Sequence, residues 1–500
     1  MKRKTIGLLL AAALLLSGCS MAKSGGDLAP GDAMNMDSGM YPSYDITPNG
    51  GGETYQEIIE NPEVTAEEES TVTFSLKVDT ASYSNVTRYL NTGSLPPKDA
   101  VRTEELINYF RYETPLEPED APFAVYTEVG PSPFRSGKQM AFIRVKTPEI
   151  DKDKLGPSNL TFLLDTSGSM DSFDKLPLLK SAFSLLVETL DEDDRVSIVT
   201  YAGSSAVVLD SCSGADKERI LDAIHSLTAS GSTAGADGIQ TAYALAQKNF
   251  REGGNNRVIL ATDGDFNVGL SSTAQLEDFI AEKRDSGIYL SVLGFGTGNL
   301  RDDVMETLAK NGNGNQAYID SVQTAKKVLV EELGSNLFTV AKDVKAQVVF
   351  DPQLVKSYRL IGYENRMLNN EDFAEDTKDA GEIGAGTDVV ALFEIELTEQ
   401  GEEADNPFAV HIRYKDPDGS ESRLFTKETL NAVYGENTSD FRFACAVAAF
   451  GHLLRSSEYT GEATLESVMQ LAEQNLGRDP GGYRQEFLAL LNTYKRVAGG

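Results

Sequence analysis

Apolar runs of strand length alternate with runs of helical length between residues 160 and 333. The strand candidates cover residues 160–164, 196–200, 258–261 and 288–293. The helix candidates cover residues 176–190, 236–250, 276–284 and 300–309. Strands that alternate with helices in this way form a mostly parallel sheet with helices on both faces. The pattern therefore predicts a doubly wound α/β domain over residues 156–335.

Strand-like runs lie on both sides of this α/β region. They cover residues 72–78, 123–129 and 140–145 before it, and 344–350, 357–363, 389–397 and 408–414 after it. Helical runs at 441–454, 465–475 and 483–497 close the chain. We expect an N-terminal flanking domain of strands and short helices over 71–150, and a β-rich and helical C-terminal domain over 336–500. The simplest arrangement is an α/β domain inserted into, or packed on, a β-rich domain built from both flanks.

The first residues have the layout of a signal peptide over 1–18. Lys2-Arg3-Lys4 precedes a short apolar run that is too short to span a membrane. The run ends in Leu16-Ser17-Gly18-Cys19, which resembles the lipobox of bacterial lipoproteins. That resemblance implies acylation of Cys19, for example with palmitate, and an anchor on the outer side of the cytoplasmic membrane, or in an outer membrane where one exists. The alternative is an ordinary signal peptide with an incidental cysteine.

Composition separates the predicted anchor from the folded part. Residues 19–70 are rich in glycine, methionine, proline and acidic residues and show little apolar periodicity, so we expect a flexible acidic linker there. The formal net charge of the 500 residues is −32. A chain this acidic attracts cations and repels nucleic acid and anionic headgroups. Nucleic acid is therefore excluded as a partner of its general surface.

Short oxygen-bearing side chains follow the strands of the predicted sheet. The run 165–170 comes directly after the first strand, a Gly-flanked hydroxyl loop occupies 230–235, and an aspartate follows the strand at 258–261. The carboxyl ends of adjacent parallel strands meet at one edge, so these side chains are expected to converge. Hard oxygen ligands suit Mg²⁺ or Mn²⁺. The candidate ligands are Asp165, Ser167, Ser169, Thr233 and Asp263.

The order of these residues is similar to a known site. The triple Asp165-x-Ser167-x-Ser169, with Thr233 and Thr262-Asp263-Gly264, resembles the metal-ion-dependent adhesion site of von Willebrand factor type A domains. The segments 78–83, 95–102, 105–110, 360–366 and 379–386 resemble the flanks of a bacterial lipoprotein group, the YfbK-like proteins. The resemblance implies a membrane-anchored, metal-binding interaction protein, and it brings no known enzymatic activity with it.

Three functions follow from these features. The first is a binding module in which Mg²⁺, held by only two carboxylates, accepts an Asp or Glu from an unknown partner protein. The second is an envelope hydrolase that uses a metal-bound water, although no general base is nominated. The third is a scaffold in which the metal only stabilises the fold. The first is preferred, and we expect no enzyme.

Other motifs are interpreted as structural. The run 294–299 has Asn299 where a dinucleotide fingerprint needs glycine, so no nucleotide is expected. The acidic stretch 369–379 lacks the ligand spacing of a calcium loop and is interpreted as solvated. Cys212 and Cys445 are expected to be two separate buried thiols, although pairing stays open. The histidines are not at metal-ligand spacing and are expected to be core or surface residues; they are His225, His411 and His452.

Overall fold

The computed structural model describes residues 52–499, except for short gaps at 78, 119–120, 150–155, 232–234, 265–272, 299, 333–338, 377–379, 418, 420, 433–434 and 436. The predicted signal peptide, Cys19, most of the predicted linker and Thr233 lie outside the described residues. Within the described part of the chain, every helix is too short or too polar to cross a membrane.

The described residues form the predicted strands and helices together with others that the sequence pattern did not predict. The strands are β1 (Val64–Thr65), β2 (Thr71–Ser75), β3 (Ala124–Pro131), β4 (Gln139–Lys146), β5 (Ser158–Asp165), β6 (Arg195–Tyr201), β7 (Ser205–Ser213), β8 (Asn255–Thr262), β9 (Ile288–Phe295), β10 (Gln316–Ile319), β11 (Thr339–Phe350), β12 (Val355–Ile361), β13 (Met367–Leu368), β14 (Ile383–Gly384), β15 (Asp388–Leu397), β16 (Phe408–Lys415) and β17 (Ser422–Lys427). The α-helices are Ala81–Asn91, Thr103–Asn108, Leu176–Glu188, Lys217–His225, Gly235–Lys248, Thr273–Asp285, Asp302–Asn311, Val322–Lys326, Ser439–Arg455, Leu465–Gln474 and Tyr483–Ala498.

The inserted α/β domain is built on a six-stranded sheet in the order β10-β9-β8-β5-β6-β7. All neighbouring strands are parallel except β6 and β7. Strand β5 is central and buried along its whole length. Phe162 packs with the helix Leu176–Glu188 on one face, and Leu163 packs with the helix Gly235–Lys248 on the other. The predicted doubly wound, mostly parallel sheet is confirmed.

The edge strand β7 has no counterpart among the predicted strands. Most of its side chains are exposed or half-buried, and only Leu209 and Cys212 are buried. It carries the apolar run 206–209, but Val207 and Val208 of that run are exposed, as an edge strand that is covered on one side allows.

The flanks form two further sheets that pack on each other. One has the order β1-β12-β15-β4-β3, and the other has β13-β2-β11-β16-β17 with β14 beside β11. Each sheet combines strands from before and after the inserted domain, for instance β2 with β11 and β4 with β15. Ala141 and Ile143 of β4 face the core between the sheets, whereas Met140 and Phe142 face the helices that cover the outer side. The segments 71–150 and 336–500 thus share both sheets.

The C-terminal part of the predicted linker, residues 52–70, is packed on the folded protein. Glu53 forms a buried ion pair with Arg88 at 2.8 Å, and Val64 pairs with Tyr358 in the sheet. Ile58 is only 5% exposed. These contacts join isolated residues to distant parts of the chain, so they leave no apolar periodicity in the sequence of 52–70. For that reason the composition of this segment predicted a linker. The prediction of a flexible linker is wrong for 52–70.

Buried polar contacts connect the α/β domain to the N-terminal flank, and that flank to the C-terminal one. Arg102 donates to Asp302 at 2.5 Å, at the start of the helix Asp302–Asn311. Asp79 accepts the backbone N–H of Gln316 at 3.1 Å and pairs with Arg366 at 2.8 Å. All five residues are buried. A charge that is buried at a contact needs a partner in a fixed geometry. These pairs therefore fix the position of the inserted domain against the flanking strands and helices.

Candidate metal centre

The run 165–170 lies where β5 leaves the sheet. Asp165 is the last residue of β5, and a short 3-10 turn at Gly168–Asp171 follows. Asp165 and Ser167 are almost completely buried, whereas Ser169 is exposed. The loop therefore presents a protected carboxylate at its base and a hydroxyl at the surface.

Backbone and side-chain hydrogen bonds hold this loop in shape. The Ser167 N–H donates to Asp165 Oδ1 at 2.8 Å. The hydroxyl oxygens of Ser167 and Ser169 lie 2.9 Å apart. Two hydroxyls at this separation are positioned to bind the same cation, since adjacent ligands of an octahedral Mg²⁺ are about 3 Å apart at metal–oxygen distances of about 2.1 Å.

The neighbouring strand β8 brings the second carboxylate to the same edge. Thr262 ends β8 and Asp263 follows it, and both are buried. Thr262 Oγ1 lies 3.5 Å from Asp165 Oδ2 and accepts the Gly264 N–H at 3.2 Å. Because β5 and β8 are parallel neighbours, their carboxyl ends place Asp165 and Asp263 side by side.

Burial and the charge of Asp263 outweigh the hydrogen bonds from Ser167 and together raise the pKa of Asp165 to about 6. A carboxylate in this setting is costly to ionise without a cation. The donor set consists of hard oxygens, with two carboxylates and two hydroxyls, which is the chemistry that Mg²⁺ or Mn²⁺ prefers. The residues present therefore fit a divalent metal of this class.

A lysine that the sequence analysis did not single out contacts the site. Lys175 Nζ donates to Asp263 Oδ2 at 2.8 Å, and both side chains are buried. The Lys175 stem crosses Gly296, where an added Cβ would lie 2.3 Å from the lysine side chain. The lysine lies just before the helix Leu176–Glu188, and nothing in its sequence context marks it, because its partner is 88 residues away.

The hydroxyl loop approaches the same run through its backbone. Ser230 N–H donates to the Thr166 carbonyl at 2.8 Å, and Gly168 N–H donates to the Gly231 carbonyl at 3.0 Å. These bonds align the start of the 230–235 loop with the loop that carries the two serines. Thr233 itself lies outside the described residues.

One exposed aromatic residue stands beside the site. Phe173 is 87% exposed, although phenylalanine is usually buried. It lies between the 3-10 turn and Lys175, three residues after the buried Met170. Spacing did not predict this feature, because exposure is a property of the folded loop.

The remaining candidate residues lie away from this edge. His225 contacts Ser184 on the surface, and His411 contacts Thr426. Cys212 and Cys445 are both free and buried in different cores, as expected for separate thiols. Among the described residues no group of three or more His, Cys, Asp or Glu could hold a metal ion, so the hydroxyl-rich site is of a different kind.

Comparison with known proteins gives matches along most of the chain. The family model described as "von Willebrand factor type A domain" matches residues 159–332, and "Uncharacterized protein YfbK, C-terminal" matches 335–497. A model described as "von Willebrand factor" matches 49–141.

Individual relatives agree with these models. The "Uncharacterized protein YfbK" of Escherichia coli (strain K12) is 43% identical over 469 residues, which cover 89% of this chain and 81% of the relative. Inter-alpha-trypsin inhibitor heavy chain H3 of Homo sapiens is 28% identical over 33% of this chain and 19% of its own length. The solved structure "von Willebrand factor type A from Catenulispora acidiphila" is 16% identical with a TM-score of 0.42, covering 76% of this chain and 91% of its own.

Proposed function

This chain belongs to the YfbK family and carries a von Willebrand factor type A domain, and from that membership we propose that it is a lipid-anchored, Mg²⁺-dependent protein-binding module. Domains of this type are generally adhesion or interaction modules rather than enzymes, and they often bind a divalent metal at a metal-ion-dependent adhesion site. The proposed target is an Asp or Glu side chain on a partner protein.

One observation carries the proposal. The two serine hydroxyls lie at the same sheet edge as the buried carboxylates of Asp165 and Asp263. The proposed metal ligands are Asp165, Ser167, Ser169, Thr233 and Asp263. A bound Mg²⁺ supplies a positive charge that two carboxylates, one of them paired with Lys175, do not neutralise completely. An acidic side chain of a partner protein would neutralise the remaining positive charge.

The protein residues have distinct tasks in this function. Asp165 and Asp263 supply negative charge from the buried side of the site. Ser169 is exposed and lies on the side from which a partner approaches. Phe173 offers an aromatic contact beside the site, and aromatic anchors carry much of the binding energy at interfaces. We therefore expect the partner to present an acidic residue close to an apolar one.

Metal binding is tested directly by titrating the full chain with Mg²⁺ and with Mn²⁺ in a calorimeter. Ser167→Ala removes one proposed ligand and is expected to weaken binding at least about tenfold, or about 1.4 kcal/mol. Ser184→Ala is the matched control, since this serine donates to the Lys180 carbonyl within the helix Leu176–Glu188 and is not a proposed ligand. Equal affinity in the Ser167→Ala variant and the wild type would show that the site is misassigned.

Partner binding is tested by capture from envelope membranes with Mg²⁺ and with chelator. The wild type is expected to retain an acidic partner only with Mg²⁺, and Asp165→Ala is expected to lose it. A partner that stays equally bound to Asp165→Ala excludes the metal bridge. Metal-dependent melting without any metal-dependent partner would instead support a scaffold.

Catalysis and anchoring need separate tests. A hydrolase screen with Mg²⁺ or Mn²⁺ is expected to show no activity, and activity that Asp263→Ala abolishes would favour the hydrolase hypothesis. For the anchor, Cys19→Ser is expected to release the protein from the membrane fraction, and mass spectrometry of the wild-type N-terminal peptide is expected to show acylation at Cys19. A membrane-bound Cys19→Ser variant would contradict the lipid anchor.

A further inference from the structure

A cavity of about 290 Å³ lies where four separate parts of the chain meet, and none of its lining residues is a proposed metal ligand. The helix Ala81–Asn91, Tyr109, the segment 320–324 after β10 and the helix Tyr483–Ala498 line it. Its lining combines carboxylates, hydroxyls, two tyrosines and a short apolar wall formed by Ala489 and Leu490. The cavity is therefore large enough for a small organic group and chemically mixed.

Two carboxylates from different parts of the protein face this cavity. Asp320 belongs to the α/β domain and accepts a hydrogen bond from Thr324 Oγ1 at 2.5 Å. Glu486 belongs to the C-terminal helix, and its side chain forms no hydrogen bond or ion pair within the described part of the chain. Burial raises the pKa of both groups, and the negative charges of Asp320 and Asp479 raise that of Glu486 further. The cavity thus concentrates negative charge.

Two buried phenols provide an independent indication of a ligand. Tyr83 and Tyr109 stack with ring centroids 3.8 Å apart and are only 4% and 3% exposed. Both line the cavity, yet neither hydroxyl makes a hydrogen bond to any residue that the structure describes. Both side chains are more than nine-tenths buried and their hydroxyls hold no hydrogen-bond partner among the described residues, so these hydroxyls are available to a polar group that enters the cavity.

Two cations near the residues of this cavity pair with other carboxylates. Arg88 is bidentate to Glu53, with both N–O distances 2.8 Å. Lys327 pairs with Glu332 at 2.5 Å and lies over the ring of Tyr109. The charge of Arg88 acts on Asp320 through space, but neither Asp320 nor Glu486 forms an ion pair within the described part of the chain, so both carboxylates can accept a cation from outside it.

We propose that this cavity binds a primary alkylammonium group, either a free amine or a lysine side chain of another protein. The ammonium has three donors, which the Asp320 and Glu486 carboxylates and the tyrosine hydroxyls can accept. Its methylene chain packs on the apolar wall of Ala489 and Leu490. A bare divalent ion is disfavoured, because the described residues contain no group of three or more His, Cys, Asp or Glu that could hold a metal.

The test is calorimetric titration of the full chain with n-butylammonium and with Nα-acetyl-lysine methylamide. The first probe represents a free amine and the second a lysine side chain, so their relative affinities distinguish the two sources. Neutral n-butanol serves as the isosteric control. At least one ammonium probe is expected to bind, n-butanol is expected not to bind, and chelator is expected to change nothing, which separates this site from the metal centre.

Variants assign the binding to this cavity. Glu486→Gln and Asp320→Asn are expected to weaken ammonium binding about tenfold each, because each loses a charge-assisted hydrogen bond. Glu466→Gln, on the exposed surface of the helix Leu465–Gln474, is the matched control and keeps wild-type affinity. If Asp320→Asn folds poorly, the Glu486→Gln variant still tests the proposal, because Glu486 is only half-buried. Absence of ammonium binding, equal binding of n-butanol, or unchanged affinity in Glu486→Gln would overturn the proposal.

Discussion

Lys175 Nζ lies 2.8 Å from Asp263 Oδ2, so the candidate metal centre already contains a cation that belongs to the protein. The side chain reaches this position across Gly296, whose φ of +73° and missing Cβ leave room for the lysine stem. Two buried carboxylates, Asp165 and Asp263, therefore share one internal positive charge. A divalent metal that binds here adds to, or competes with, that charge.

Replacing Lys175 by methionine removes the charge and keeps the stem. Without divalent metal, the free energy of unfolding is expected to fall by about 3 kcal/mol, because a buried carboxylate loses its neutralising cation. Mg²⁺ is expected to stabilise this variant more than it stabilises the wild type. Chemical denaturation with and without Mg²⁺ measures both quantities. Lys248→Met, which breaks an exposed pair with Asp210, is the control and is expected to have little effect. Equal stabilisation of Lys175→Met and wild type by Mg²⁺ would contradict competition at the site.

Gly296→Ala is expected to disturb Lys175 through contact. The new Cβ would lie 2.3 Å from the lysine side chain, which must move away from Asp263. We expect a loss of stability of about 2 kcal/mol, of which about 1 kcal/mol is the left-handed backbone of alanine. A double-mutant cycle with Lys175→Ala separates the two parts by denaturation. If the cost of Gly296→Ala is the same in both backgrounds, the contact with Lys175 contributes nothing.

Arg102 is expected to be essential for the contact between the N-terminal flank and the α/β domain. It is 3% exposed and pairs with both Glu105 and Asp302 at 2.5 Å. Arg102→Met is expected to lower the free energy of unfolding by about 3–5 kcal/mol, because it leaves buried carboxylates without their cation. Adding Glu105→Gln and Asp302→Asn to this variant is expected to recover part of the loss, as judged by urea denaturation. A triple variant no more stable than Arg102→Met would refute the electrostatic explanation.

His452 is expected to make the protein sensitive to acid. Burial and the nearby charges of Arg359, Arg455 and Arg135 together lower its pKa to about 3. An unfolded histidine titrates near 6.5, so between pH 6.5 and 3 the unfolded state binds a proton that the native state does not. Stability is therefore full above pH 6.5 and falls as the pH drops, by up to about 5 kcal/mol from this group.

The corresponding measurement is the free energy of unfolding between pH 7 and pH 4. His452→Gln is expected to flatten its pH dependence, because glutamine does not titrate. His225→Gln replaces an exposed histidine and is expected to keep the wild-type slope. A wild-type slope in His452→Gln would assign the acid sensitivity to other groups.

Local pattern was sufficient for the regular parts of the α/β domain. The apolar run at 160–164 lies within β5, which is buried along its whole length. The helix predicted at 176–190 is observed at Leu176–Glu188. The packed segment 52–70 was missed, because a few isolated contacts leave no periodic signal in the chain. The edge strand β7 was also missed, although it carries the apolar residues 206–209, of which Val207 and Val208 are exposed.

The sequence by itself determined the α/β alternation, the buried strand before Asp165 and the oxygen-rich residues that follow it, because these depend on neighbours in the chain. Only the tertiary structure decided what surrounds them. Lys175 meets Asp263, and Tyr83 meets Asp320 and Glu486 around one cavity, through folding of segments far apart in sequence. Periodicity reports which face of an element is buried, whereas the partner of a single charged or polar side chain is defined by long-range packing.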